Sequence, residues 1–190
     1  MDSRIQEMLD HHEIRKALAA YCHACDRTDA KMMADAYNGA DSFDDHGHVK
    51  ATGPEYAQVM TGLIVERTEA MSHILGQSLI SVEGDRASSE TFFLAFFRMP
   101  EKDSEPKRMN QLIGRFVDKW VRVNGSWKIA HRTCVRDTSI TLGVTRDDYA
   151  DYGFVQGTRN ASDPGAALLK MAHHASTRES HCLDLASKSG

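Results

Sequence analysis

Between Ile74 and Arg136 the sequence consists of four long runs rich in Phe, Ile, Val and Thr, covering 74–82, 87–99, 108–123 and 127–136. Runs of this composition predict strands, because β-branched and aromatic side chains fit a pleated, half-buried surface. They are separated only by Glu83-Gly84-Asp85, by the charged stretch EKDSEPK and by Asn124-Gly125. Asn-Gly signals a tight hairpin, since both residues tolerate positive φ, and the other two connections also suit antiparallel neighbours. A four-stranded meander is therefore expected. Strands this long must twist and coil, so the sheet should curve around covering helices and leave its concave face partly unfilled, a natural ligand site.

The first seventy residues supply that cover. Ile5, Met8, Leu9, Ile14, Leu18, Tyr21 and Cys25 recur at threes and fours, the helical period, and predict a long first helix, bent near His11 and His12. Asp26-Arg27-Thr28-Asp29 breaks the pattern, and Thr28 or Asp29 is suited to cap a second helix over 31–37. A turn at Asn38 to Asp41 leads to a small hairpin, with strands over 42–44 and 48–52 and a turn at His46-Gly47. Pro54 stands at a favoured first-turn position, and Tyr56, Val59, Met60, Leu63, Ile64 and Arg67 continue a third helix to about Met71. The expected fold is α+β, a cone-shaped roll with three N-terminal helices packed in a strongly curved, mostly antiparallel sheet. With 190 residues and 41% apolar content, one core is the rule. Residues 1–140 should form the roll, and 141–190 an extension packing on the domain or on a neighbouring subunit.

Several functions are excluded by composition. The net charge of -4 and the lack of any Lys/Arg run of five argue against nucleic acid. No apolar run reaches 18 residues and the N-terminus, MDSRIQEMLDHHEIRK, is polar, so neither a membrane span nor a signal peptide is expected and a cytoplasmic location is. Cys22, Cys25, Cys134 and Cys182 have no framework spacing, and the CHAC pair lies in a helical pattern with no strand before it. His11-His12 and His173-His174 are adjacent pairs, not the i, i+4 arrangement that brings two imidazoles to one metal. His46 and His48, near Asp44 and Asp45, read as solvated turn residues. No GxGxxG, Walker-type loop or GxSxG elbow occurs. Neither a cofactor nor a metal is expected.

The strings IRKALAAYCHACDRTD, SHILGQSLISVEGDRASSETF, GRFVDKWVRVNGSWKIAHRTCVRD and GTRNASDP, in this order over roughly residues 5 to 165, resemble the SnoaL-like group of the nuclear-transport-factor-2-like superfamily. That superfamily includes scytalone dehydratase, bile-acid 7α-dehydratase, a hexachlorocyclohexane dehydrochlorinase, polyketide cyclases, ketosteroid isomerase and the small subunits of ring-hydroxylating dioxygenases. The resemblance thus implies the fold and leaves the reaction open. In the dehydratase-like members a tyrosine and an aspartate near the end of the first helix face a histidine at the start of the first long strand. The matching positions are Tyr21, Asp26 and His73, and the resemblance implies a catalytic role for all three. A carboxylate on one ring nitrogen fixes the tautomer of a histidine and strengthens the other nitrogen as a base. Tyr21 and Asp26 stand about 140° apart on a helix, so both reach one cavity only if the helix ends between them, which makes Asp29 a competing carboxylate.

The last long strand carries His131, Arg132 and Arg136 in HRTCVR. Alternation puts the two arginines on one face and the histidine on the other unless a bulge intervenes. Arg136 matches the substrate-site arginine of the bile-acid enzyme; the competing reading is a surface ion pair with Asp137 or Asp118. The extra carboxylate of that enzyme's second long strand is missing here, where Phe92, Phe93, Phe96 and Phe97 stand instead. A pocket walled by Phe92, Phe96, Met60 and Leu63, with Arg136 and His131 as polar contacts, suits a hydroxylated aromatic or polycyclic small molecule. The expected activity is that of a cofactor-independent lyase, by dehydration or by C–C cleavage releasing a small aldehyde such as formaldehyde, with the His/Asp dyad as general base and acid. The alternatives are an isomerase or cyclase of the same group, and a non-catalytic ligand-binding or dioxygenase-small-subunit-like module. A homodimer or homotrimer is expected.

Overall fold

Asp2 opens the first helix, α1 (Ser3–Arg27), by accepting the Arg4 N–H at 2.9 Å. This computed structural model describes residues 2–101, 107–144, 152–166 and 168. Helix α1 is continuous through His11-His12, where a bend was expected, and ends at Thr28, whose φ of 55° is left-handed. Asp29 then accepts the Met32 N–H at 2.9 Å and caps α2 (Ala30–Asp35). The chain divides into two compact units, Met1–Asp147 and Asp148–Gly190.

Helix α3 (Gly53–Arg67) begins with a capping box between Thr52 and Glu55, in which each residue satisfies the other's free backbone donor. It stops well before Met71. Thr68 is extended and returns its hydroxyl to the Ile64 carbonyl at 2.7 Å, and Met71 already lies in a strand.

Among the described residues six strands form one sheet: β1 (Phe43–Asp45), β2 (Lys50–Ala51), β3 (Ala70–Glu83), β4 (Arg86–Arg98), β5 (Arg108–Val123) and β6 (Ser126–Gly143), in the order β2-β1-β6-β5-β4-β3. Strands β3 to β6 are the expected antiparallel meander, and Asn124 and Gly125 take positive φ in its last hairpin. The small β1–β2 hairpin does not stand apart from it: β1 runs parallel to β6, with Asp44 opposite Arg132.

Register breaks three times. One residue is extra in β3 around Gly76-Gln77, and Ala130 and Asp137 are each extra in β6. A bulge reverses which residues face inward beyond it. The inner face consequently carries Met71, His73 and Leu75 from β3, then Ser78, Ile80 and Val82. From β6 it carries Trp127 and Ile129, then Arg132 and Cys134. Ile14 and Leu18 of α1, Tyr56 and Ile64 of α3, and Phe93, Phe116, Trp120 and Ile129 of the sheet form the core between helices and sheet. Each such aliphatic or aromatic side chain contributes about 1.5–3 kcal/mol.

In the second unit Asp163 organises a turn, its carboxylate accepting the Thr158 N–H at 3.0 Å and the Gly165 N–H at 2.9 Å. Of the weakly helical stretch expected over 165–175, residues 165, 166 and 168 are helical, and the rest lies outside the described residues, as do His173, His174 and Cys182. Among the described residues no helix is long and apolar enough to cross a membrane.

Candidate functional site

The pairing registers arrange the inner face in rows that cross the sheet. The deepest row reads Asp44–Arg132–Asp118–Ser89 across β1, β6, β5 and β4. The next reads Cys134–Phe116–Thr91–Ser78, and the one after it Arg136–Gly114–Phe93–Leu75. His73, paired with Ala95, follows in β3.

Asp26, in the last turn of α1, reaches His73 with both carboxylate oxygens. Oδ1 lies 2.7 Å from the His73 ring Nδ1, and Oδ2 accepts the His73 backbone N–H at 3.0 Å. Two-point contact fixes the imidazole against the helix end, directs the ring's second nitrogen away from it, and leaves the side chains only 9% and 16% exposed. Asp29, the competing carboxylate, is committed to the cap of α2. The helix runs on past both Tyr21 and Asp26. The two side chains therefore serve different flanks of the sheet, Asp26 towards β3 and Tyr21 towards β5 and β6.

Tyr21 is buried, with its hydroxyl 3.1 Å from that of Tyr56. Burial pushes the phenols of Tyr21, Tyr37 and Tyr56 well above the ordinary tyrosine range, so they stay protonated and act as neutral donors. Phe93 and Phe116 stack at 4.2 Å, His73 lies 5.8 Å from the Phe93 ring, and Tyr21 meets Phe116 edge-on at 5.6 Å. Gly114 permits this stack: a Cβ there would sit 2.9 Å from the Phe93 ring and 2.4 Å from the Val135 carbonyl oxygen.

Arg132 is the residue that sequence reasoning named without assigning a role. It is fully buried, donates from Nε and Nη2 to Asp118 at 2.7 and 2.8 Å, and lies between the rings of Tyr21 and Phe116 at 4.2 and 4.1 Å. Its Nη1 has no hydrogen-bond partner among the described residues. Burial opposes the guanidinium's charge, but the Asp118 carboxylate overcomes it and holds Arg132 firmly protonated. Asp118, a candidate for a surface ion pair by sequence, is buried instead. Beside this pair Asp44 is fully buried and hydrogen-bonded by the Tyr37 hydroxyl and by Nδ1 of His46. His46 is no solvated turn residue: its ring stacks on Tyr56 at 4.6 Å. A polar residue immediately before a Gly in a short hairpin gave no sign of this, because the parallel β1–β6 pairing at whose end it lies is a long-range event.

The remaining candidates are dispersed. Met60 packs against the core on the face of α3 that carries Tyr56 and Ile64, and Leu63 is half-buried. Phe92 and Phe96 alternate with the inward Phe93 and Phe97 and so occupy the outer face, where Phe92 lies under the Arg115 guanidinium at 5.9 Å. His131 faces outward against Phe43, ring to ring at 5.5 Å. Arg136 lies on the inner face in the row of Phe93 but is exposed, and the carboxylates proposed for it are taken, Asp118 by Arg132 and Asp137 by Arg115. Burial raises the Cys22 and Cys134 thiols to about 12 and pushes Cys25 well above the ordinary thiol range as well, which leaves them unreactive at neutral pH. Among the described residues no group of three His, Cys, Asp or Glu side chains is gathered to hold a metal. A pocket of about 430 Å³ opens elsewhere, lined by Ser81, Glu83, Arg86, Ser88, Lys119 and Val121 among others, and none of the candidate residues borders it.

Comparison with known proteins agrees with this architecture. A model of the SnoaL-like domain matches residues 6–133. No curated protein matches the sequence. Among solved structures, a protein of Novosphingobium aromaticivorans DSM 12444 provisionally assigned as a scytalone dehydratase is similar at a TM-score of 0.63 and 19% identity, over 79% of this chain and 97% of that one. A hexachlorocyclohexane dehydrochlorinase, LinA type 2, is similar at a TM-score of 0.67 and 14% identity, over 80% of this chain and 99% of that one. A nuclear-transport-factor-2-like protein with a cystatin-like fold, also from Novosphingobium aromaticivorans, is similar at 0.54 and 20% identity, over 71% and 86%. At these identities the likeness is one of fold.

Proposed function

The chain belongs to the SnoaL-like domain family, and on that premise we propose that it is a cofactor-independent lyase acting on a hydroxylated aromatic or polycyclic small molecule. The reaction is elimination of water, or C–C cleavage that releases a small aldehyde such as formaldehyde. The observation that carries this reading is the grip of Asp26 on His73 through both of its oxygens. With Nδ1 occupied by a carboxylate, Nε2 of His73 is the general base, and Asp26 stabilises the imidazolium that forms. Dehydration and dehydrochlorination, the reactions for which two of the similar structures are named, are both eliminations that such a base begins.

Phe93 and Met60, rather than Phe92 and Phe96, supply the apolar contacts in this scheme. Tyr21, neutral and hydrogen-bonded to Tyr56, shapes the inner wall beside Phe116, and Arg136 at the exposed end of its row binds a substrate phenolate or carboxylate. The row Ile74–Leu94–Ile113 on the outer face favours a homodimer or homotrimer, which the mass by light scattering at micromolar concentration tests; a monomer would count against it.

The test of the lyase is elimination from 3-hydroxy-1-(4-hydroxyphenyl)propan-1-one, followed by appearance of the aryl vinyl ketone. His73→Gln should lower kcat by about 10²–10⁴-fold with an unchanged melting temperature, and Asp26→Asn should lower it less. Equal turnover by His73→Gln and wild type would point instead to a non-catalytic ligand-binding module.

A further inference from the structure

The Phe93–Phe116 stack has an imidazole at each end. His73 lies 5.8 Å from Phe93, and His46 lies 6.3 Å from Phe116. Each is bound through Nδ1 to an aspartate from a different element, Asp26 of α1 or Asp44 of β1, and each side chain is only slightly exposed, 9% and 15%. We infer that His46, held by Asp44, is a second proton-transfer group of the same interior, which protonates the departing hydroxyl while His73 removes a proton from the substrate.

The inference rests on the lyase reading above, and three observations support it. First, the ring of His46 is not needed to close its hairpin. The turn is made by the His46 N–H on the Val49 carbonyl at 2.9 Å and by the Gly47 N–H on Asp45 at 2.9 Å, while the ring turns inward onto Tyr56. Second, Asp44 has no exposure, and its other oxygen accepts the Tyr37 hydroxyl. The ring is thus fixed in orientation, and its Nε2 has no hydrogen-bond partner among the described residues. Third, the charges facing His46 do not balance without it. Asp44 from β1 and Asp118 from β5 are both carboxylates, Arg132 from β6 is the one guanidinium between them among the described residues, and Tyr37 and Tyr56 are neutral. Buried charges need partners, and His46 completes the set when it carries a proton. In that form it is a donor at Nε2.

The division of labour follows the bonds of the reaction. In dehydration His73 takes the proton from the carbon next to a carbonyl, that C–H pair becomes the new C=C bond, and the C–O pair leaves with oxygen, which takes the proton of His46 and departs as water. In the C–C variant His73 takes the proton of a CH₂OH group. Formaldehyde forms, the C–C pair becomes C=C, and the benzylic oxygen again leaves as water with the proton of His46. His73 ends protonated and His46 neutral, and exchange with solvent restores both without any redox step.

A leaving group that needs no proton separates this role from a structural one. The hydroxy ketone above is compared with its 3-(4-nitrophenoxy) analogue, which eliminates the same proton but releases a stable anion. His46→Gln should lower the hydroxy-to-nitrophenoxy ratio of kcat/KM by about 100-fold or more, whereas His73→Gln should slow both probes and leave the ratio within about threefold. In the wild type that ratio should fall as pH is raised, a measurement that decides the matter even if His46→Gln does not fold. A ratio unchanged in His46→Gln and flat with pH overturns the role of His46 while the loss in His73→Gln keeps the lyase. Elimination of neither probe above buffer, or no effect of His73→Gln, overturns the lyase reading and this inference with it.

Discussion

Two arginines on the paired strands β5 and β6 grip carboxylates in nearly the same geometry on opposite faces of the sheet. Inside, Arg132 donates from Nε and Nη2 to Asp118 at 2.7 and 2.8 Å. Outside, Arg115 donates from the same two nitrogens to Asp137 at 2.9 Å each, and from Nη1 to Glu90 at 2.8 Å. What differs is the medium: the first pair has no exposure, and the second is 27% and 35% exposed. Water and salt substitute for a partner lost on the outside, and nothing substitutes for one lost inside. The inner pair also sets the positions of the Tyr21 and Phe116 rings, so it belongs to the construction of the site, whereas the outer pair only decorates the sheet.

The largest effect should come from Asp118→Asn, which leaves the Arg132 charge buried without its counterion and should cost about 3–5 kcal/mol in urea unfolding. The double variant Asp118→Leu with Arg132→Met should recover much of that loss; if it recovers none, packing around the pair and not its charge is what matters. Gly114→Ala should cost about 1–3 kcal/mol, since the new Cβ meets the Val135 carbonyl oxygen at 2.4 Å, a backbone atom that cannot turn aside. Its loss should appear also as a change in near-ultraviolet circular dichroism from the disturbed aromatic stack.

A third carboxylate–arginine pair lies between these extremes. Burial would raise the Asp10 carboxyl, but hydrogen bonds from Arg122, Trp127 and Gln6 outweigh it and hold it below the usual range. A lowered folded-state value contributes stability above the unfolded value of about 3.9, and this is lost as pH falls through that value towards the folded one. Asp10→Asn should therefore cost about 1–2 kcal/mol at neutral pH and flatten the stability curve below about pH 4. The smallest effect should be that of Arg115→Gln on the outer face, with a melting midpoint indistinguishable from wild type in moderate salt. A clear drop there would erase the distinction between the two faces.

Much of the fold is legible in the residues. The cap at Asp29, Pro54 in the first turn of α3, the Asn124-Gly125 hairpin and the four long strands all follow from local preferences, which act over a few neighbours. The end of α3 was less legible, because apolar residues continue at helical spacing to Met71 and only pairing with β4 draws 70–73 into the sheet. Of the candidate site, His73 opposite Asp26 was legible from the resemblance to SnoaL-like proteins. Asp44 and His46 were not, because the strand of Asp44, which His46 directly follows, is three residues long and its parallel partner is far away in sequence.

The sequence by itself determined the elements, their order and the supply of acid, base and aromatic groups, since periodicity and turn chemistry are local. Tertiary structure decided which groups meet. Counting by twos from Trp127 would carry His131 inward and leave Arg132 outside; the extra residue at Ala130 reverses that, because the side-chain period of a strand is two and one inserted residue exchanges its faces. Bulges are placed by the curvature that the whole sheet must adopt around its helices, and that curvature is a property of the assembled fold and not of any short string within it.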